Sequence, residues 1–195
     1  MSFFNDAYRG TPPWDIGRSQ REFLELAESG EVKGEVIDIG CGTGEHAILF
    51  ATKGNEVLGI DSSPLAIEKA RAKAEHRSSR AEFKVFDALQ LAKLGRKFDI
   101  ALDSGLFHVF SDSARTAYVR SLRSVLRPEG EYYMLCFSDK EPAGWGGPRR
   151  VTEDEIFRSF SRGWTVNYVR PAKFESSYHK KGGEAWFSKI TRSES

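Results

Sequence analysis

Short apolar runs alternate with amphipathic segments along most of this chain. Four-residue spacing of apolar positions predicts helices between the runs, and β-branched and aromatic residues within the runs predict buried strands. The predicted strands are Val36–Ile39, Glu56–Ile60, Ala81–Phe86, a run from Phe98 to Asp103, and Glu131–Phe137. The predicted helices are Gln20–Ser29, Glu45–Thr52, Leu65–His76 and Ser111–Leu126. Strands that alternate with helices indicate βα units and a parallel sheet.

The last part of the chain has a different pattern. Residues 127–130 predict a turn before the fifth strand, and the strands predicted at 163–170 and 185–191 follow one another without a helix. The sequence His179–Gly183 between them has the composition of a hairpin turn. We therefore predict a three-layer α/β/α, doubly wound, mostly parallel, seven-stranded sheet with an antiparallel last strand, in one domain that spans residues 1–195.

Two segments rich in glycine, proline and aromatic residues interrupt this order. Residues 1–18 contain Pro12 and Pro13, which prevent a helix through that point, together with several aromatic side chains. Residues 138–151 form a connection longer than compact domains usually carry. We predict that residues 1–18 are an ordered flap over the functional site and that residues 138–151 form a second flap.

Composition narrows the possible functions. The 195 residues include 29 basic and 28 acidic side chains, so the net charge of +1 disfavours a nucleic-acid partner. No apolar run reaches the ~20 residues that a membrane span needs, and the first residues lack the pattern of a signal peptide. The expectation is a cytoplasmic protein, a monomer or weak homodimer. Cys41 and Cys136 indicate neither a disulfide framework nor a metal site.

A glycine-rich turn follows the first predicted strand. Gly40, Gly42 and Gly44 are each separated by one residue, and a helix begins at once. Glycines there allow a sharp turn and the close approach of a ligand to main-chain atoms at a helix N-terminus. A dinucleotide fingerprint would place its last glycine where Glu45 stands, so NAD(P) is disfavoured by a carboxylate that would repel pyrophosphate.

Acidic residues end the neighbouring strands. Asp61 follows Gly40 by about twenty positions, the spacing of a residue that accepts hydrogen bonds from ribose hydroxyls. Asp38, at the end of the first strand, suits a ligand that carries an amine or a sulfonium. Together these positions indicate an adenosine-containing ligand with positive charge.

The segment Asp38–Gly44 resembles motif I of the class I, seven-strand methyltransferases that use S-adenosylmethionine. Pro12–Asp15 resembles a segment of thiol, thiocyanate and halide methyltransferases of the thiopurine methyltransferase type, in which a tryptophan covers the cofactor. The resemblance implies S-adenosylmethionine as cofactor. It implies these contacts: Trp14, Asp38, Gly40, Cys41, Gly42, Gly44, Asp61, Ser62, Asp87, Ala88, Asp103 and Ser104. For Asp87, a helix cap is the alternative role.

The fourth strand ends where the family's motif IV faces the acceptor. No Asn/Asp-Pro-Pro-Tyr motif and no Pro-Cys nucleophile occur there, which favours a small-molecule acceptor. We predict that acceptor contacts come from Tyr8, Phe107, His108, Trp145 and Arg149. His108 suits either a general base or a hydrogen-bonded packing residue between Phe107 and Phe110. The basic face of the helix at 111–126 is interpreted as solvated surface.

Several functions remain open at this point. The favoured one is methyl transfer to a soft nucleophile, a thiol or a halide, which needs little help from a base. An O- or N-methyltransferase of a small hydroxylated aromatic or heterocycle, with His108 as base, is the alternative within the class. An NAD(P)-dependent oxidoreductase and an inactive S-adenosylmethionine-binding protein are alternatives of other kinds.

Overall fold

Seven strands form one sheet in the order β3-β2-β1-β4-β5-β7-β6 in a computed structural model that describes residues 3–142, 144 and 146–194. Strands β1 to β5 are parallel, and β7 runs antiparallel to both β5 and β6. The strands are β1 (Glu35–Ile39), β2 (Glu56–Asp61), β3 (Glu82–Val85), β4 (Phe98–Ser104), β5 (Leu126–Phe137), β6 (Trp164–Ser176) and β7 (His179–Arg192). The predicted doubly wound, mostly parallel sheet with an antiparallel last strand is confirmed.

Helices cover both faces of this sheet. They are α1 (Phe3–Ala7), α2 (Arg21–Ser29), α3 (Glu45–Thr52), α4 (Pro64–His76), α5 (Asp112–Val125) and α6 (Glu153–Ser159), with 3₁₀ turns at Ala88–Leu94 and Phe107–Val109. One buried cluster joins α2, α3 and α4 to one face, around Phe23 and Phe50. A second joins α5 and α6 to the other face, around Tyr118 and Phe160. The sheet is therefore the middle layer of three, as predicted.

Side-chain caps fix where the helices begin. Ser63 and Ser111 accept hydrogen bonds from backbone N–H groups of Ala66 and Ala114, at 3.1 and 3.3 Å. Thr152 and Glu155 form a capping box at the start of α6. These caps satisfy N–H groups that a helix leaves without a partner in its first turn. The predicted starts of α4 and α5 agree with the structure to within one residue.

Two predicted turns are wrong. Residues 127–130, read as a turn, belong to β5, which starts at Leu126 and accommodates the extra length through a bulge against β4. The hairpin turn lies at residues 177–178, not at His179–Gly183, which is part of β7. The glycines there are used for packing, because a Cβ on Gly183 would lie 2.6 Å from the Phe137 ring.

The N-terminal segment begins with the short helix α1, which the sequence analysis did not predict, and then continues through turns and bends without a helix at Pro12 and Pro13, as predicted. This segment is tied to the body of the protein at Arg18, which forms an ion pair with Glu175 at 2.7 Å. Gln20 and Glu175 exchange two hydrogen bonds of 2.8 Å. In the described ranges, no helix has the length and hydropathy that a membrane span requires, and no group of His, Cys, Asp or Glu has the arrangement of a metal site.

Close packing between β2 and β3 gives a test of the fold. A Cβ on Gly59 would lie 2.7 Å from the Phe83 ring and 3.0 Å from the Cys41 sulfur. We expect Gly59→Ala to cost about 1–3 kcal/mol in free energy of unfolding, because the overpacked ring must shift. In Gly59→Ala/Phe83→Leu the two costs should not add, since leucine leaves room for the new methyl group.

Chemical denaturation of the four proteins measures this coupling. Gly10→Ala is the control, because nothing lies within 4 Å of the added methyl group. Strict additivity of the two substitutions would contradict the proposed contact.

Candidate active site

The chain turns from β1 into α3 through a loop whose glycines have positive φ values: 73° at Gly40, 53° at Gly42 and 84° at Gly44. The loop is held against β2, because the N–H groups of Gly40 and Cys41 donate to the Ile60 carbonyl at 2.8 and 2.9 Å. A Cβ on Gly42 would lie 2.7 Å from the Tyr8 hydroxyl oxygen. Glycine is needed there because a covering residue lies directly on the main chain.

Gly44 and Glu45 have other roles than the sequence suggested. A Cβ on Gly44 would lie 2.7 Å from the Phe83 ring, so this glycine allows α3 to pack on the sheet. The Glu45 carboxylate forms ion pairs with Lys73 at 2.6 Å and Arg77 at 2.8 Å, both on α4. Its charge is directed at α4 and neutralised there. The argument that Glu45 repels pyrophosphate is therefore incorrect.

Three carboxylates lie near the carboxyl ends of the adjacent strands β2, β1 and β4. Asp38 Oδ2 accepts from the Ala47 N–H at 3.1 Å, at the start of α3. Asp61 accepts from the N–H groups of Gly42 and Ser63 at 3.0 and 2.8 Å. The Ser62 N–H also offsets part of the rise that burial causes in the pKa of this carboxylate, and even three N–H donors leave one of its roughly four lone-pair sites for a ligand. This arrangement leaves Asp61 able to accept from hydroxyl groups of a ligand.

Asp103 is held differently from the other two carboxylates. Its Oδ2 accepts from the hydroxyls of Tyr118 and Tyr132 at 2.9 and 2.7 Å, and its Oδ1 accepts from the N–H groups of Leu106 and Phe107 at 2.8 and 3.3 Å. The side chain is fully buried. Four protein donors use its acceptor capacity, so the geometry favours an anchor for the turn after β4 over the predicted direct contact with the cofactor.

The charges of these carboxylates are not neutralised by the protein. Burial raises the pKa of Asp38 to about 7 and that of Asp103 to about 6, and it also raises the pKa of Asp61. Across the described residues no Lys or Arg pairs with any of the three. A ligand with a sulfonium and an ammonium group would relieve this unpaired negative charge. The set of carboxylates therefore fits S-adenosylmethionine.

The N-terminal segment lies over the glycine loop. Trp14 Nε1 donates to the Tyr8 hydroxyl at 2.9 Å, and Tyr8 is buried. Asp15 accepts from the Thr43 hydroxyl at 3.0 Å, and Asn5 accepts from the Ser63 hydroxyl at 2.8 Å. These contacts place Tyr8 and Trp14 beside the loop. The contact of Trp14 with the cofactor and that of Tyr8 with the acceptor stay predictions.

Four further residues predicted to contact the cofactor differ in their exposure and in their hydrogen bonds. Asp87 is exposed, and its two oxygens accept from the Leu89 N–H at 2.8 Å and from the Gln90 amide at 2.9 Å, so it caps the 3₁₀ turn that follows β3. Ser62 is exposed at the end of β2, and Ala88 and Ser104 are partly buried after β3 and at the end of β4. A contact with the cofactor stays a prediction for all four.

His108 is oriented by a main-chain group. Its Nδ1 accepts from the Phe137 N–H at 3.0 Å, so the neutral ring carries its proton on Nε2. Burial, with Arg115 and Arg150 nearby, lowers the pKa of His108 to about 3. A neutral ring whose acceptor nitrogen is engaged cannot take a proton from a substrate, which argues against the predicted base. The ring packs on Phe137 and Phe174, not between Phe107 and Phe110.

The sequence predicted an acceptor contact for Arg149 and a solvated surface position for Arg115. The structure has the exposed side chain at Arg149 and the buried one at Arg115. Arg149 is exposed and pairs with Asp112 and Glu155, so its charge is used within the protein. Arg115, interpreted as solvated, is 4% exposed. Its guanidinium lies 4.4 Å from the centroid of the fully buried Phe107 ring. The predicted acceptor contact Trp145 lies outside the described residues.

Comparisons with known proteins agree on one family. A family model described as a methyltransferase domain matches residues 36–130. The 2-heptyl-1-hydroxyquinolin-4(1H)-one methyltransferase of Mycobacteroides abscessus is 34% identical over 183 residues, which are 89% of this chain and 81% of that protein. The probable thiol methyltransferase 2 of Arabidopsis thaliana is 30% identical, over 75% of this chain and 65% of that protein.

Solved structures give the same result. A structure from work on the conversion of a disulfide bond into a thioacetal group during echinomycin biosynthesis has a TM-score of 0.88 and 33% identity, over 97% of this chain and 91% of that one. The 1,6-didemethyltoxoflavin-N1-methyltransferase of Burkholderia thailandensis, solved with S-adenosylhomocysteine, has a TM-score of 0.76 over 98% of this chain and 86% of that one. At 20% identity the latter shows the fold alone.

The buried carboxylate of Asp38 predicts how stability depends on pH. Its pKa is about 7 in the folded protein against about 3.9 in an unfolded chain, so its favourable contribution is complete below pH 4 and is lost as the pH rises to 7. Asp38→Asn should therefore raise the melting temperature more at pH 8 than at pH 5. Added S-adenosylmethionine should stabilise the wild type more than the variant.

Thermal denaturation at both pH values measures these effects. The exposed Asp139→Asn serves as control and should shift neither curve. Equal melting-temperature gains for Asp38→Asn at pH 5 and pH 8 would contradict the assignment.

The glycine loop, the unpaired carboxylates and the seven-stranded sheet thus agree with relatives that are at least 30% identical over most of this chain. The S-adenosylmethionine that this family uses carries the positive charge that would pair with the carboxylates. The chain belongs to the class I small-molecule methyltransferases and is an enzyme that uses S-adenosylmethionine.

Proposed function

We propose that this enzyme methylates an ionisable oxygen on a small planar heteroaromatic acceptor. The observation that carries this proposal is the stack of aromatic rings at the carboxyl end of β4. The His108 ring lies 5.1 Å from Phe137 with an angle of 13° between the planes, and 5.6 Å from Phe174. Flat apolar walls favour a flat acceptor.

The acceptor would lie between this stack and the aromatic residues of the N-terminal segment. The Trp14 ring contacts those of Phe4 and Tyr8 edge to face, with ring centroids 5.9 and 6.2 Å apart. The Ser177 N–H donates to the Pro13 carbonyl at 2.9 Å, which connects this segment to the β6–β7 turn. The segment at residues 3–18 is proposed as the cover of the site.

The main contribution of the protein to methyl transfer is the alignment of the two reactants. S-adenosylmethionine, when bound, supplies a methyl group already activated by its sulfonium. The residues of the chain hold the acceptor in line with that methyl group and exclude water. The similarity to the hydroxyquinolone methyltransferase of M. abscessus supports a hydroxylated heteroaromatic acceptor for this chain.

A thiol acceptor is the second candidate. The absence of a usable base at His108 favours it, because thiols ionise near neutral pH without assistance. The similarity to a probable thiol methyltransferase of A. thaliana supports it as well. Binding of a heteroaromatic acceptor should depend on the rings of His108, Phe137 and Phe174 more than binding of a thiol does.

Acceptor turnover separates the two candidates. We expect a higher kcat/KM for 1-hydroxyquinolin-4-one than for thiophenol or iodide. Phe174→Leu should raise KM for the quinolone roughly tenfold, because the loss of one aromatic stacking contact weakens binding by about 1.4 kcal/mol, and should change iodide turnover little. The control is Phe157→Leu, which replaces a ring that is 49% exposed on α6. Higher kcat/KM on thiols would favour the second candidate.

Tyr8 tests the proposed cover. Its hydroxyl accepts from Trp14, its own proton has no acceptor among the described residues, and burial raises its pKa, so it is a hydrogen-bond donor. We expect Tyr8→Phe to raise KM for S-adenosylmethionine roughly tenfold, because a hydrogen bond to a charged ligand group is lost. Tyr178→Phe, at a position that is 74% exposed, should leave KM unchanged. An unchanged KM in Tyr8→Phe would remove Tyr8 from the cofactor site.

A further inference from the structure

Two buried hydrogen-bond donors near the end of β4 have no partner in the described parts of the chain. His108 is 4% exposed, and the proton on its Nε2 is not donated to any described residue. Arg115 is also 4% exposed, and its Nε and Nη2 have no hydrogen-bond partner. Buried donors are rarely left without partners, so the Arg115 guanidinium indicates an acceptor atom that the described residues do not supply, and the His108 Nε2–H is available to donate to such an atom.

His108 borders the predicted acceptor side of the site, and Arg115 lies near enough to lower the pKa of its imidazole. A Cβ on Gly105 would lie 3.4 Å from His108 Nε2, and a Cβ on Gly40 would lie 3.2 Å from Leu106 in the same turn. The turn after β4 therefore packs directly against the glycine loop, and His108 Nε2 lies at that edge of the sheet. Arg115 approaches from α5 by stacking its guanidinium on Phe107, the residue before His108.

Two guanidinium groups, those of Arg115 and Arg150, act on the His108 imidazole. Arg115 approaches Glu155 only to 3.5 Å, and Glu155 also pairs with Arg149. Arg150 lies near enough to lower the pKa of the imidazole further. On the other elements packed here, the ionisable groups are Asp103 on β4, Tyr118 on α5 and Cys136 on β5. Burial raises the pKa of Tyr118 and of Cys136, which keeps the phenol and the thiol neutral.

We propose that the acceptor binds as an anion, whose nucleophilic atom accepts the His108 Nε2–H while the buried Arg115 guanidinium stabilises its charge. This inference rests on the proposed function, and it narrows the acceptor class to acids that ionise below or near neutral pH. N-hydroxy heteroaromatics and aryl thiols belong to this class, and alkyl alcohols do not. His108 is then a positioning donor, and no residue of the enzyme removes a proton.

The transfer step balances without a base. A lone pair of the acceptor anion forms the bond to the methyl carbon, and the carbon–sulfur bond breaks with its electron pair left on sulfur. An anion and a cation become two neutral products, so no proton reaches the enzyme. The bond from His108 Nε2–H weakens as the acceptor loses its charge, which favours release of the methylated product.

The first test measures anion binding without turnover. Thiocyanate is titrated calorimetrically into the complex of the full chain with S-adenosylhomocysteine. We expect saturable binding that weakens about tenfold or more in Arg115→Met and in His108→Phe, since each removes a charge-assisted interaction. His108→Gln should retain much of the affinity, because its amide supplies a donor. Arg120→Met, at an exposed position of the same helix, and His76→Gln, on α4, are the matched controls.

The second test measures how the reaction depends on pH. In a series of ring-substituted 1-hydroxyquinolin-4-ones, the apparent pKa of kcat/KM should follow the pKa of each acceptor. Arg115→Met should raise KM by a larger factor than it lowers kcat, and His108→Gln should keep the shape of the profile. An apparent pKa that stays constant across the series and disappears in His108→Gln would show that His108 is a base and would overturn the inference.

The two tests also separate this inference from the proposed function. If no heteroaromatic acceptor is methylated but thiocyanate binding depends on Arg115 and His108, the anion site stands and the proposed acceptor class fails. If Arg115→Met and His108→Phe both bind thiocyanate as the wild type does, the anion site is disproved whatever the acceptor is. Melting temperatures of all variants identify any that fail to fold. If Arg115→Met fails to fold, Arg115→Lys, which keeps the charge, replaces it. Thiocyanate binding retained in Arg115→Lys supports the site, and a loss equal to that of His108→Phe overturns the proposed role of the Arg115 charge.

Discussion

Buried negative charge, for which the described residues supply no cationic partner, constrains the whole site. Asp38, Asp61 and Asp103 lie near the ends of three adjacent strands, and their hydrogen bonds come from backbone N–H groups and tyrosine hydroxyls. Such donors satisfy a carboxylate without neutralising it, so the negative potential remains. The parallel sheet concentrates these charges at one edge, because the carboxyl ends of parallel strands meet there. A cation bound at this edge stabilises the protein as well as reacting in it.

Helix α5 connects this negative region to the positive one. Tyr118 donates to Asp103, and Arg115, one turn earlier on the same helix, stacks on Phe107. A single rigid element thus sets the distance between the group that holds a carboxylate and the group proposed to attract an anion. The positive cofactor and the proposed negative acceptor would attract each other, and methyl transfer would remove both charges. The site would therefore bind the charged reactants more tightly than the neutral products.

Local rules in the sequence predicted most of the fold. Apolar runs of strand length located β1 to β5. The starts of α4 and α5 were predicted correctly because the caps that Ser63 and Ser111 form depend only on the next three residues. The hairpin was misplaced because glycines were interpreted as turn residues. In the structure, Gly183 lies in β7 where the Phe137 ring leaves no room for a side chain. That ring comes from β5, a contact that no local pattern contains.

In the site, too, features that depend on neighbouring residues in the sequence were predictable, and features that depend on contacts with distant strands were not. The glycine loop and Asp61 were predicted from spacing alone, whereas the tautomer of His108 depends on the main-chain N–H of Phe137 in another strand. The buried position of Arg115, in contrast, could have been predicted from the sequence. It shares the helical face of the buried residues Tyr118, Val119, Leu122 and Val125, so the period of α5 placed it inside although its charge suggested solvent. When periodicity and residue type disagree, the buried charge that results is itself the indication of a binding site.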